Sequence, residues 1–192
     1  MSFEYGKAFE AIEKNKSIDD VSEFMAAVID VCEMLAPDGD WEAFRGLPYQ
    51  EESDLLSSHV EKVLNSEPAP FEPKGFWFGI NNPVLDTGDT SSGIYFSVSS
   101  KYDPDDVDAD WACEAEFYPE RGAFKSRVMA SLYRLAYAES GLGNKAEYPL
   151  CLAYGLKLAQ KAMDNYKAKY PGSAIGYAVG FDSGDFLNQG WL

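Results

Sequence analysis

The chain reads as an α+β fold, in which N-terminal helices precede an antiparallel sheet of about five strands with helices packed on one face. Two observations predict it. The hydrophobic period changes from 3.6 to 2 across a proline-rich stretch at 65–74, and the strands beyond it come in groups, with none of the βαβ alternation of a parallel sheet. A third observation bounds the size: 192 residues with 46% apolar and 15% aromatic content are enough for one packed core. The chain is therefore expected to form a single domain, with a possible sub-boundary at 65–74 between a helical part, 1–65, and a sheet-containing part, 75–192.

The elements follow in the order ααα-βββ-αα-ββ. Tyr5, Phe9 and Ile12 mark a short first helix. Ser17 and Asp20 stand three apart in the manner of a capping box. Val21, Phe24, Met25, Val28, Cys32 and Leu35 then form one helical stripe that Pro37-Asp38-Gly39 stops. Leu56, Val60, Val63 and Leu64 mark a third helix. Three prolines in NSEPAPFEPK remove amide donors and disfavour helix for the residues before them, which makes 65–74 the boundary.

Past the boundary, Phe76, Phe78 and Ile80 alternate with Trp77 and Gly79; Ile94, Phe96 and Val98 alternate with Tyr95, Ser97 and Ser99. Trp111, Cys113, Ala115 and Phe117 alternate with Ala112, Glu114 and Glu116. Three strands with one buried face each are expected, joined by long polar loops at 81–93 and 100–110. Helical period returns at Phe124, Val128, Leu132 and Leu135, ending near Gly141-Leu142-Gly143. It recurs at Leu150, Tyr154, Leu158, Ala162 and Tyr166, ending near Pro171-Gly172. Lys157 and Lys161 share one surface of this last helix. Ile175–Phe181, a turn at Asp182-Ser183-Gly184-Asp185, and Phe186–Leu192 supply two final strands.

Charge divides the chain more sharply than any motif. The net charge is −16, and residues 75–118 carry nine acids and one base, Lys101, whereas residues 119–192 carry six acids and nine bases. So negative a chain repels phosphate backbones and anionic headgroups, which disfavours nucleic acid and membrane as partners and favours basic proteins, cationic peptides or metal ions. No apolar run approaches the roughly 18 residues of a membrane span, and the first residues lack an uninterrupted apolar segment, so the expected location is cytoplasmic. The three cysteines, Cys32, Cys113 and Cys151, lie in apolar patterns without zinc or redox spacing and read as reduced core residues.

The densest cluster is Asp103, Asp105, Asp106, Asp108 and Asp110. As an EF-hand started at Asp106 it fails, because Trp111 stands where glycine is required and Phe117 where a bidentate glutamate is required. It reads instead as an acidic recognition loop, with a non-standard divalent site or a merely solvated connection as alternatives. Glu114 and Glu116, two apart on one face of a predicted strand, stand roughly 6.6 Å apart, a separation compatible with paired-carboxylate glycoside hydrolysis; Trp77, Tyr95 and Tyr118 are candidate stacking or contact faces nearby. His59, the lone histidine, has neither a nucleophile elbow nor a cysteine signature to work with, and the glycines match no phosphate-binding pattern. No cofactor is implied.

These features favour a non-enzymatic acidic binding protein that captures and blocks a basic protein partner. Its partner-binding residues would be Asp103, Asp105, Asp106, Asp108, Asp110, Glu114, Glu116, Trp77, Tyr95 and Tyr118. In size, acidity and lack of a catalytic kit the chain is similar to immunity proteins that neutralise basic bacterial toxins, a likeness of composition and size only. The alternatives are a carboxylate-dependent, carbohydrate-active hydrolase using Glu114 and Glu116, and a scaffolding domain that self-associates through its oppositely charged halves.

Overall fold

A computed structural model describes residues 3–82, 91–106, 108–171, 174–181 and 186–190. Its architecture is α+β: helices α1 (Tyr5–Asn15), α2 (Val21–Leu35), α3 (Glu42–Arg45) and α4 (Leu55–Ser66) precede strands β1 (Gly75–Asn81) and β2 (Gly93–Ser99). There follow α5 (Asp110–Cys113), β3 (Phe124–Lys125), α6 (Arg127–Ala136), α7 (Asn144–Lys169), β4 (Gly176–Phe181) and β5 (Phe186–Gly190). The sheet order is β3-β2-β1-β4-β5.

The sheet is mixed rather than antiparallel throughout. β1 pairs with β2 in antiparallel register, Phe78 opposite Phe96, but with β4 in parallel register, Phe78 opposite Val179. A parallel neighbour requires a long crossover, and α6 with α7 supplies it between the two groups of strands. The expected strand at Trp111–Phe117 does not form. Asp110–Cys113 is a helical turn, Phe117 makes only an isolated bridge to Val98, and the third strand is the two-residue β3. β3 also takes Phe124 out of the predicted helix, which starts at Arg127 with Ser126 as its cap. The turn at 182–185 and most of the 81–93 loop lie outside the described residues.

Local chemistry sets the helix ends. The Asp20 side chain accepts the Glu23 amide at 2.8 Å, so Asp20 rather than Ser17 caps α2. α6 is closed twice: Ser126 Oγ accepts the Met129 amide at 3.0 Å, and the buried Glu52 carboxylate accepts Ser126 Oγ at 2.6 Å and the Arg127 amide at 2.8 Å. Glu52 belongs to a short 3₁₀ turn, Tyr49–Glu52, that the hydrophobic pattern does not announce.

α7 is apolar on most of its circumference because it is covered on most sides. It packs against α1, α2, α4 and α6 and against β1 and β4, and its residues Leu150–Ala159 are buried. Lys157 is accordingly not on the helix surface. It is 5% exposed, with its ammonium donating to the Lys16 carbonyl at 2.5 Å and to Gln160 Oε1 at 3.0 Å and lying 4.8 Å from the Phe24 ring centre. The Lys16 carbonyl is at the end of α1, so a buried cation meets the negative end of a helix. One continuous apolar cluster joins Phe24 and Val28 of α2 to Phe76 and Phe78 of β1 through Tyr154 and Leu158 of α7. Cys32 and Cys151 are buried free thiols, the former pushed up to about 12 by burial.

Candidate functional site

Alternation gives the sheet two unlike faces. Phe76, Phe78, Ile80, Ile94, Phe96, Val98, Tyr177 and Val179 point to the helices, while Gly75, Trp77, Gly79, Tyr95, Ser97, Gly176 and Ala178 form the opposite face. That opposite face is not bare. Residues 102–106 and 108–112 lie over it, making a second apolar cluster of Trp77, Ala109, Trp111, Ala112 and Ala178 with Tyr95 and Tyr102 packed against it.

Glycine makes this close approach possible. A β-carbon at Gly75 would stand 2.5 Å from the Trp111 ring; one at Gly79 would overlap Tyr95, and one at Gly176 would overlap Tyr102. Three aromatic rings therefore lie close against glycine backbone, and side chains at those positions would displace them. Tyr102 and Trp111 also meet edge to face, with ring centres 5.1 Å apart. Trp77 donates its indole N–H to the Tyr95 hydroxyl at 3.1 Å.

The acidic residues cap and decorate this layer. The Asp105 amide donates to Asp103 Oδ1 at 2.9 Å. The Asp108 and Asp110 amides donate to Asp106 Oδ1 and Oδ2 at 3.1 and 2.8 Å, which lets Ala109 take a left-handed conformation with φ 51° and starts α5. Asp106 thus shapes the loop and is half-buried, whereas Asp103, Asp105, Asp108 and Asp110 are exposed. The expected strand gives way at its start to this helical turn, in which the Ala112 and Glu114 amides donate to the Ala109 and Asp110 carbonyls at 2.8 Å each and so are not offered to a ladder.

Glu114 and Glu116 do not share a strand face. Glu114 is the exposed residue that ends α5; Glu116 is exposed and accepts the Ser100 amide at 2.6 Å and the Ser100 hydroxyl at 3.0 Å. Those two bonds, with Lys101 nearby, hold the Glu116 carboxyl below its usual range. A general acid requires the opposite shift and a cavity around it. The geometry gives the paired-carboxylate hydrolase no support.

Of the aromatic residues expected at a contact surface, Trp77 is buried at 9% exposure and Tyr95 is half-buried, both under the acidic layer; Tyr118, at 58% exposure, is available. Trp77 and Tyr95 therefore act as fasteners rather than as contact faces. The residues that sequence reasoning missed are Tyr102 and Trp111, which hold the layer down. Their signal was present: glycine at 75, 79 and 176, alternating with large apolar residues, marks a sheet face that something approaches closely.

Among the described residues, three cations of the C-terminal helices pair with acids outside the acidic layer. Lys161 pairs with Asp54 at 2.7 Å and Lys169 with Glu61, both across α4 and α7, while Arg127 faces Glu52. The dominant N-terminal cation, Arg45, serves Asp30, Glu33 and Glu42. Among the described residues no group of three or more His, Cys, Asp or Glu converges in a way that could hold a metal ion, and no helix is long and apolar enough to cross a membrane. No protein-family model matches the chain, and no curated protein and no solved structure matches it.

Proposed function

We propose that the protein is a non-enzymatic acidic binding protein that captures and blocks a basic protein partner, in the manner of an immunity or antitoxin-like inhibitor of a bacterial toxin. The observation that carries this reading is the acidic layer itself. Asp103, Asp105, Asp108, Asp110, Glu114 and Glu116 are exposed together, and the layer they decorate is pinned to the sheet by Tyr102 and Trp111.

Such a layer suits capture of lysines and arginines for two physical reasons. Carboxylates held on a packed support lose little conformational entropy on binding, and a surface of one sign accelerates the approach of the opposite sign. Exposed Tyr118, two residues from Glu116, adds an aromatic contact of the kind that dominates binding energy when ringed by polar groups. The net charge of −16 extends the same attraction over the whole molecule.

The deciding experiment is a pull-down with immobilised protein from a lysate of its own source, washed at low and at high salt, beside the variant Asp105→Asn/Asp108→Asn/Asp110→Asn. A stoichiometric basic protein that is retained at low salt, lost at high salt and weakened by the triple variant is the expected result. Retention of nothing basic, or equal retention by the variant, overturns the reading; a salt-sensitive dimer of the chain with itself instead supports the scaffolding alternative.

A further inference from the structure

The start of α7 carries a buried acid. Glu147 lies in the first turn of that helix and is 6% exposed. A hydrogen bond crosses from it to the sheet: Asn82, the residue after β1, donates its Nδ2 to Glu147 Oε1 at 2.5 Å. The contact joins the crossover helix to a strand in the middle of the sheet.

The amide is incomplete on its other side. Asn82 Oδ1 is buried and has no hydrogen-bond partner, although the same amide donates to the carboxyl. A buried carbonyl oxygen without a donor is costly and uncommon. Turning the amide over does not remove the difficulty, because its oxygen then meets Glu147 Oε1, acceptor against acceptor. In both orientations the amide oxygen lacks a hydrogen, and a carboxyl proton on Glu147 is one that the pair itself can supply.

The groups that face Glu147 from the elements around it bring no counter-charge. They are Tyr5 of α1, Tyr137 at the end of α6 and Cys151, one turn along α7; burial first and Glu147 second push all three up, so they stay uncharged. Tyr137 directs its hydroxyl to Asn144 Oδ1. Among the described residues none of the ion pairs includes Glu147. The positive end of α7 favours the anion, but burial favours the acid and is the larger effect, holding Glu147 above its ordinary 4.5.

We infer that Glu147 and Asn82 form a proton-dependent clasp: the protonated carboxyl donates to the Asn82 amide oxygen, the Asn82 amide donates back, and loss of the proton loosens the join between α7 and the end of β1. Two reciprocal hydrogen bonds hold the neutral pair. The anion keeps the amide donor alone and is left in a buried place without a cation. As pH rises through the folded midpoint, the first turn of α7 therefore opens more often while the rest of the fold persists. The device is separate from the acidic layer, since none of its residues lies within 102–116.

Carbon-13 NMR of the side-chain carboxyls in the whole protein, with the Glu147 signal assigned by its loss in Glu147→Gln, follows the titration. The midpoint is expected above 4.5 in the parent and closer to 4.5 in Asn82→Ala, because the oxygen that receives the acid proton is gone. Burial without the clasp predicts the opposite sign, since Asn82→Ala then removes only a donor to the anion. Hydrogen exchange at the Ala146 amide, bonded to the Gly143 carbonyl at 3.1 Å, reads the opening. The parent should match Glu147→Gln below the midpoint and exchange about fivefold faster above it, the effect of one lost hydrogen bond. A midpoint at or below 4.5, a midpoint that Asn82→Ala raises or leaves unchanged, or equal exchange of parent and Glu147→Gln above the midpoint overturns the proposal. Should Asn82→Ala fail to fold, the parent titration and the exchange ratio decide.

Discussion

The ring of Tyr102 lies directly against the backbone of Gly176, so closely that any β-carbon at position 176 would overlap it. This one contact joins the start of the acidic loop to β4, the strand that runs parallel to β1. The acidic surface is therefore a layer of the fold and not a loose connection, which is the property that the proposed binding function uses.

Gly176→Ala is expected to destabilise the protein by about 1–3 kcal/mol through overpacking. In a Tyr102→Ala background the same change should cost less than about 1 kcal/mol, because the overlapping ring is gone. Urea denaturation of the four proteins measures the coupling; an equal cost in both backgrounds would mean that the ring does not rest on the glycine.

Asp106 and Asp105 are predicted to behave differently although they are neighbours. Asp106→Asn replaces one of the two acceptor oxygens that receive the Asp108 and Asp110 amides, while Asp105 is exposed. A lost hydrogen bond worth about 1 kcal/mol corresponds to roughly fivefold faster hydrogen exchange at the affected amide. Asp106→Asn should show it at Asp108 or Asp110, and Asp105→Asn should leave both rates unchanged.

The Glu52 carboxylate makes Glu52→Ala costly. Removing it leaves the Ser126 hydroxyl and the Arg127 and Val128 amides without their acceptor, inside a buried helix start. The expected loss is about 2–4 kcal/mol, with Glu52→Gln intermediate because one amide oxygen remains. Chemical denaturation that finds Glu52→Ala within about 0.5 kcal/mol of the parent would refute this role.

One buried and one half-buried group set opposite pH trends. Glu147, which accepts Asn82 Nδ2 at 2.5 Å, is held above its ordinary value of 4.5 by burial. Its contribution is therefore most favourable below that value and is lost as pH rises through the folded pKa. Glu147→Gln should raise the thermal midpoint at pH 7, by about 2–4 °C per kcal/mol recovered, and do little at pH 4.

His59 runs the other way. Burial lowers it from 6.5, with the Arg121 carbonyl opposing and Lys62 adding to the fall. Its stability contribution is present above pH 6.5 and lost as pH falls through the lower folded pKa. His59→Gln should flatten the acid side of the melting profile below pH 6.5; a profile that keeps its full slope counts against a half-buried imidazole held neutral.

The sequence by itself determined the α+β class, the helical N-terminal part, the change of period near residues 65–74 and the two-sided strands, because these rest on local periodicity and on proline chemistry. It also located the acidic cluster, since charge is read directly from composition. Only the tertiary structure decided the parallel pairing of β1 with β4, because alternating apolar residues specify a face and not a neighbour. Tertiary contacts decided that Trp111 sits in a helical turn with its ring against Gly75, and that Phe117 makes only a bridge to Val98. They decided, too, that Trp77 and Tyr95 lie beneath the acidic residues rather than beside them, and that Glu114 and Glu116 part company. Which side chains meet depends on contacts between residues as far apart in sequence as Tyr102 and Gly176, and no local pattern encodes that distance.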